Sequence, residues 1–365
     1  MSKKTIVVTG THLTPALALI DKLTKNNWRT VYLGKKKKEQ QLLPKGVRLI
    51  YISSGKLQRF NMISSLTTGI KLPLGFIQAL HYLKKIKPDL VLSFGGYTSV
   101  PVCSAAKLLK IPIIIHEQTL GAGLANKLIA PLATKIALSW SESQKYFPQK
   151  KTVLTGNPIR RELLKPGKST KHQILNTKYP IIYITGGSQV SRIINQTVSS
   201  ILEKLLAKYS IIHQFGLVQS AKHWQQQLDL QKNLPKQYKK RYLLQKWFSA
   251  SELTEIFNKA DLVVSRSGAN TVIELALFAQ PALLIPLPFA QKNEQMTNAQ
   301  FLAQKGTAQI LDQKDLSAKS LFNAITSMMI QINDFKTRAE KLKPLIISQG
   351  TTNLYRLIVE VISGS

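Results

Sequence analysis

At 365 residues and 44% hydrophobic content, the chain is long enough for two domains and apolar enough to bury a core, which excludes wholesale disorder. Lys and Arg number 51 against 18 Asp and Glu, a formal net charge of +33, so the surface attracts phosphorylated substrates, polyanions or an anionic bilayer. The single cysteine, Cys103, excludes an internal disulfide and a cysteine zinc cluster; with no apolar run of about 18 residues, the chain is expected to be soluble or peripheral.

Short β-branched runs alternate with longer segments of helical period, the pattern of βα units and a parallel sheet. Strands are predicted at Thr5–Thr9, Thr30–Leu33, Val47–Ile52, Asp89–Phe94, Ile111–His116 and Lys135–Ser139. After the turn-rich Gly156-Asn157-Pro158, a second series follows at Tyr179–Thr185, Ser210–Gln214, Tyr242–Lys246, Asp261–Ser265, Pro281–Ile285 and Thr307–Leu311. The expected fold is α/β, two doubly wound halves joined near residue 160, with ligands in a cleft beyond the carboxyl ends of the strands. The glutamine-rich Trp224–Gln231 reads as a solvated helix.

Each informative motif closes a predicted strand and opens a helix, where free amides and the helix dipole favour phosphate. In Thr9-Gly10-Thr11-His12-Leu13-Thr14-Pro15, Gly10 permits a tight turn; His12 either takes a proton from an attacking hydroxyl or merely supports the turn. Phe94-Gly95-Gly96-Tyr97 lets backbone approach a bulky anion. His116-Glu117-Gln118 offers hydroxyl ligands or a second acid/base pair. In the second half, Gly186-Gly187-Ser188-Gln189 is an anion turn, and Arg160 at the junction can fork onto a phosphate. The densest signal runs from Asp261 to Glu274. Ser267 and Gly268 keep that loop narrow for a diphosphate, while Glu274 can accept hydrogen bonds from vicinal ribose hydroxyls. Glu294, Gln295 and Asn298 share one helix face from which amides can read sugar hydroxyls. No Walker loop, His-Glu-x-x-His or Asp-x-Asp pair is present to suggest a metal-bound diphosphate.

The ordered set Gly-x-His-x-x-Pro, Gly-Gly-Tyr, His-Glu-Gln, Gly-Asn-Pro-x-Arg, Gly-Gly-Ser-Gln and Ser-Arg-Ser-Gly-x-x-Thr-x-x-Glu resembles the MurG family of N-acetylglucosamine transferases from Thr5 to Leu311. The resemblance implies a GT-B fold. Residues 1–160 would be the acceptor and membrane-facing domain, with a helix at 345–365 packing back on it, and 161–344 the UDP-sugar domain. It implies an inverting transfer, without metal or cofactor, of N-acetylglucosamine from UDP-N-acetylglucosamine (UDP-GlcNAc). The acceptor is the 4-hydroxyl of the muramoyl sugar of lipid I, an undecaprenyl-diphosphate-linked peptide, and the product is lipid II for peptidoglycan. By position, His12 becomes the base, with His116 and Glu117 lining the acceptor site. Arg160, Gly187 and Ser188 hold the donor, Glu274 the ribose, and Gln295 with Ala269 the sugar. Thr9, Gly10, Thr11, Thr119, Gln189, Ser267, Gly268 and Asn298 are further substrate-binding positions. The family's Gly-Thr-Gly-Gly-His is here Val8-Thr9-Gly10-Thr11-His12, and Thr119 and Val190 replace the usual Asn and Gly, so the departures fall mainly on the acceptor side.

A lipid-borne acceptor places the enzyme on the cytoplasmic face of the membrane. Leu66, Ile70, Leu72, Leu74, Phe76 and Ile77, with Lys71, Lys84, Lys85 and Lys87, form either an apolar patch rimmed by cations for an anionic membrane surface or one buried helix. Two further readings remain: the same donor with a different glycolipid acceptor, and a non-catalytic basic protein acting through Lys35–Lys38 and Lys236–Arg241. Those runs lack the interleaved aromatics of single-strand binders, and no nucleic-acid partner is expected.

Overall fold

The computed structural model describes residues 3–34, 40, 43–54, 62–164, 174, 175, 177–187, 191–217, 220–288 and 293–364. The chain divides into two compact units, Met1–Arg160 with Ile347–Ser365, and Arg161–Ile346.

The first unit is built on strands β1 (Thr5–Thr9), β2 (Arg29–Gly34), β3 (Arg48–Tyr51), β4 (Leu90–Ser93), β5 (Ile113–Glu117), β6 (Lys135–Leu138) and β7 (Thr152–Leu154), in sheet order β3-β2-β1-β4-β5-β6-β7. Every pairing is parallel. Successive residues of β1 serve opposite faces. Ile6 and Val8 pack with Leu19 and Leu23 of the helix Leu13–Lys25, and Val7 packs on the other side with Leu83 and Val102. Burial on both faces is why these strands read as unbroken apolar runs rather than alternating ones. The last helix, Gly350–Ser363, returns to this unit through Leu354, Leu357 and Ile358, with Tyr355 set edge-on to Trp28 at 5.9 Å. Leu354 and Ile358 are completely buried, so truncating either to alanine costs about 2–5 kcal/mol.

The second unit carries β8 (Ile181–Thr185), β9 (Ser210–Gln214), β10 (Tyr242–Gln245), β11 (Leu262–Ser265), β12 (Ala282–Leu284) and β13 (Ala308–Ile310), again all parallel, in order β10-β9-β8-β11-β12-β13. The two sheets open alike. Asp89 Oδ2 accepts the Thr5 amide at 2.7 Å and Asp261 Oδ2 the Ile181 amide at 2.8 Å, satisfying an amide at the start of each first strand.

Two features differ from the sequence reading. Strand β7 was not predicted: it is three residues long, follows Lys150 and Lys151, and exposes Leu154 at the sheet edge, so it carries no buried apolar run. The glutamine-rich segment does form a helix, Ala221–Asn233, but Gln227 is buried. It accepts from Ser199 Oγ at 2.6 Å and donates to Tyr242 Oη at 2.7 Å, within a polar network that also holds His213.

The helix Met62–Ile86 turns Ala79 and Leu83 into the core and leaves Leu74 and Ile77 exposed, 46% and 63%, beside exposed Lys71, Lys84 and Lys85. Phe76 instead packs against the core; the side chains of Leu66 and Ile70 lie outside the described set. No helix among the described residues is long and apolar enough to cross a membrane.

Candidate active site

In the first unit, the loop after β1 is pressed onto the loop after β4. Gly10 has φ 134°, and a Cβ there would lie 2.8 Å from the Phe94 carbonyl carbon, so only glycine fits. Thr11 donates its amide to the Gly95 carbonyl at 3.0 Å, and its side chain fills the space that a Cβ on Gly96 would need. Tyr32 Oη holds the Gly10 carbonyl at 2.7 Å. Thr9, a predicted substrate ligand, is fully buried and gives its hydroxyl proton to the Leu33 carbonyl at 2.9 Å, so its side chain braces β2.

His12 stands at the N-cap of Leu13–Lys25 without capping it through its side chain. Desolvation lowers its pKa below the ordinary histidine value, and the Glu117 carboxylate opposes that shift. A histidine whose pKa is lowered, within electrostatic reach of a carboxylate, suits the part of a general base.

Strand β5 delivers His116 and Glu117, both almost fully buried. His116 is pushed down to about 4, first by burial, against its bond to the Gly156 carbonyl and with His12 adding to the depression. Its Nε2 lies 3.3 Å from both Gly156 O and Ser139 Oγ, and Nδ1 has no partner. Glu117 holds four donors: Thr119 N at 3.0 Å and Thr119 Oγ1 at 2.7 Å on Oε1, Gly123 N and Asn126 Nδ2 at 3.0 Å on Oε2. With its lone pairs so occupied, Glu117 organises the loop 118–126 and fixes charge near His12; it is not placed to shuttle protons. The predicted Thr119 belongs to that clamp. Asn126 was missed by sequence reading; it also donates to the His116 carbonyl at 3.2 Å and leaves Oδ1 buried without a partner. The one clue was that a buried carboxylate needs donors, and the next helix, Leu124–Ile129, supplies one in its first turn.

Arg160, at the end of the first unit, has its Nε covered and unpartnered. In the second unit the loop after β8 carries Gly187 at φ 73°, its amide accepted by Thr185 Oγ1 at 3.1 Å. Ser188 and Gln189 lie outside the described residues.

Gly268 is the N-cap of the helix Ala269–Leu277, and among the described residues a Cβ built on it meets nothing closer than Thr271 Oγ1 at 4.0 Å, so the loop is narrow where the helix amides begin. Glu274 lies six residues further on, partly exposed, and its charge contributes after burial to raising the Tyr183 pKa. Ser267 and Asn298 were predicted to read substrate, yet they latch the loop. Ser267 Oγ donates to the Gln295 carbonyl at 2.7 Å, and Asn298 Nδ2 to the Ser267 carbonyl at 3.1 Å. Gln295 Oε1 accepts the Leu287 amide at 3.0 Å.

Arg266 sits inside the quoted motif but was given no role. It is 8% exposed, and Nη1 donates to the carbonyls of Ile285 at 2.9 Å and Pro286 at 3.2 Å. Nη2 reaches Ser191 Oγ at 2.8 Å and Gln313 Oε1 at 2.7 Å. One guanidinium thus ties together the segments after β8, β11, β12 and β13, and burial lowers its pKa only to about 10, leaving it cationic.

Two parallel sheets of this order, each with glycine turns at the carboxyl ends of its strands, are those of a GT-B glycosyltransferase. Residues 5–138 match the model of the glycosyltransferase family 28 N-terminal domain and 181–351 that of the C-terminal domain. A UDP-N-acetylglucosamine--N-acetylmuramyl-(pentapeptide) pyrophosphoryl-undecaprenol N-acetylglucosamine transferase of Clostridium botulinum is 35% identical, over 97% of this chain and 98% of its own. A second such transferase, from Bacillus cereus, is 34% identical over 93% and 95%. The crystal structure of Acinetobacter baumannii MurG superposes with a TM-score of 0.72 at 25% identity, covering 98% of this chain and 99% of that one. The chain belongs to the MurG family within glycosyltransferase family 28.

Proposed function

We propose that the protein transfers N-acetylglucosamine from UDP-GlcNAc to the 4-hydroxyl of the muramoyl sugar of lipid I, making lipid II for peptidoglycan. The observation that carries this reading is near-full-length similarity to transferases whose names state that donor and acceptor; the Gly187 and Gly268 turns and the electrostatic coupling of His12 to Glu117 support it. In this reading the first unit takes the acceptor and the second the donor. The amides after Gly187 and Gly268 meet the diphosphate, Arg160 adds a cationic fork, Glu274 accepts from the ribose hydroxyls, and Ala269 with the Gln295 amide group faces the sugar. His12 removes the proton from the acceptor hydroxyl as that oxygen attacks the anomeric carbon opposite the leaving UDP. Configuration inverts, and the Glu117 carboxylate stabilises the imidazolium formed.

The test of the donor half is calorimetric. Glu274→Ala is expected to weaken UDP binding by at least about tenfold, the worth of a charge-assisted hydrogen bond, with the fold intact by circular dichroism. Unaltered affinity removes Glu274 from the ribose site. Mass spectrometry of products from UDP-GlcNAc offered with lipid I and with other polyprenyl-linked sugars tests the acceptor.

The acceptor's lipid requires a membrane surface. Leu74 and Ile77 among exposed lysines make the helix Met62–Ile86 the contact in this reading. Sedimentation with vesicles containing phosphatidylglycerol is expected to be strong at low salt, to weaken as salt rises and to fall in Ile77→Asp. Equal binding to neutral vesicles at high salt counts against it.

A further inference from the structure

The second lysine-rich run holds a feature that glycosyl transfer does not use. Contrary to the sequence reading, this run is not without aromatics. The Arg241 guanidinium lies over the Tyr179 ring at 3.9 Å from its centroid and 5.2 Å from that of Tyr238. Arg241 is 9% exposed, yet among the described residues its side chain makes no hydrogen bond and no ion pair, and Nη1 is covered without a partner. A guanidinium withdrawn from water without an acceptor is costly, and stacking on two rings offsets only part of that cost. The stacking also has a geometric effect. Contact with two rings restricts the guanidinium's rotamers, so the donors left over are held in place rather than swept through many positions.

The backbone is equally set. The Arg241 amide closes a turn onto the Tyr238 carbonyl at 2.9 Å, and the Arg241 carbonyl accepts the Ile211 amide of β9 at 2.8 Å. Tyr179 precedes β8 and Arg241 precedes β10, so the cluster lies at the amino ends of the strands, the end of the sheet opposite Gly187 and Gly268. Lys178, Lys239 and Lys240 are exposed beside it, and no carboxylate among the described residues pairs with any of them. Flat, oriented donors ringed by flexible ammonium groups suit a tetrahedral oxyanion carrying more than one charge.

We infer that Arg241, in cation–π contact with Tyr179 and Tyr238 and flanked by Lys178, Lys239 and Lys240, forms a phosphate-binding site on the second unit, separate from the sugar-nucleotide cradle. The phosphate belongs either to a lipid headgroup or to a free phosphorylated solute, and the experiment separates the two. The inference does not depend on the proposed acceptor.

In the full-length protein with its arginine side chains labelled with nitrogen-15, the Arg241 Nε–H resonance is expected to shift saturably as inorganic phosphate is added. Affinity should drop about tenfold in Arg241→Lys, which keeps the charge and loses the planar fork, and also in Tyr179→Leu, which removes the platform from a partly exposed position. UDP binding stays unchanged in both, showing that the second unit remains folded. Vesicle sedimentation then identifies the source: reduced retention of Arg241→Lys on phosphatidylglycerol assigns the headgroup, and unchanged retention assigns a soluble phosphate. An Nε–H signal that does not move, or that moves equally with acetate or chloride at matched ionic strength, overturns the site, as does full phosphate affinity in both variants.

Discussion

Replacing His12 with alanine is expected to lower kcat by about 10²–10⁴-fold while leaving UDP affinity unchanged. The expectation rests on three observations in the first unit. Desolvation holds the imidazole pKa below the ordinary histidine value, the Glu117 carboxylate opposes that shift, and the loop bearing His12 is locked to Gly95 by the Thr11 amide. A base in this state works without first losing a proton near neutrality. The acidic limb of kcat/KM should therefore fall below about 6.5, the ordinary histidine value. Removing the opposing charge in Glu117→Gln lowers the His12 pKa further, so the limb moves to still lower pH while peak turnover falls because the imidazolium loses its partner. His116 gives no comparable limb at this position, since burial already puts it at about 4. Turnover of His12→Ala within about threefold of the parent removes His12 from proton transfer.

Arg266→Ala is expected to cost about 3–5 kcal/mol of stability in the second unit and to weaken donor binding together with it. The substitution strips four acceptors, on three segments besides its own, of a single buried cation. For a unit of this size the loss amounts to a drop on the order of 10 °C in the calorimetric transition. Arg266→Lys should recover only part of it, because one ammonium cannot span carbonyls and side chains on both sides of the loop. A transition lowered by less than about 2 °C means that the loops after β8, β11, β12 and β13 hold without the guanidinium.

The parallel sheets were legible because burial on both faces demands continuous β-branched runs, and each predicted strand overlaps an observed one. Strand β7 escaped because an exposed three-residue edge strand leaves no apolar run. The turns of the candidate site were legible to the level of the loop. The glycines at 10, 187 and 268 mark places where backbone must turn or stay open, and such demands are local. Which side chain within a loop faces outward was not local information. Thr9, Ser267 and Asn298 look like ligands in the sequence, yet their polar groups are spent on Leu33, Gln295 and Ser267. Asn126 and Arg266 looked structural or silent, and they turn out to hold the groups around which the two loop clusters are built.

The order of β-branched runs, glycine turns and charged residues by itself determined the α/β class, the succession of strands and the turns that close them, because each follows from contacts between near neighbours in the chain. Only the tertiary structure decided that Glu117 is saturated by four donors, that desolvation lowers the His12 pKa against that carboxylate, and that Arg241 lies over the rings of Tyr179 and Tyr238. Desolvation and hydrogen-bond saturation depend on what distant segments bring to the same point, and residue order does not record that.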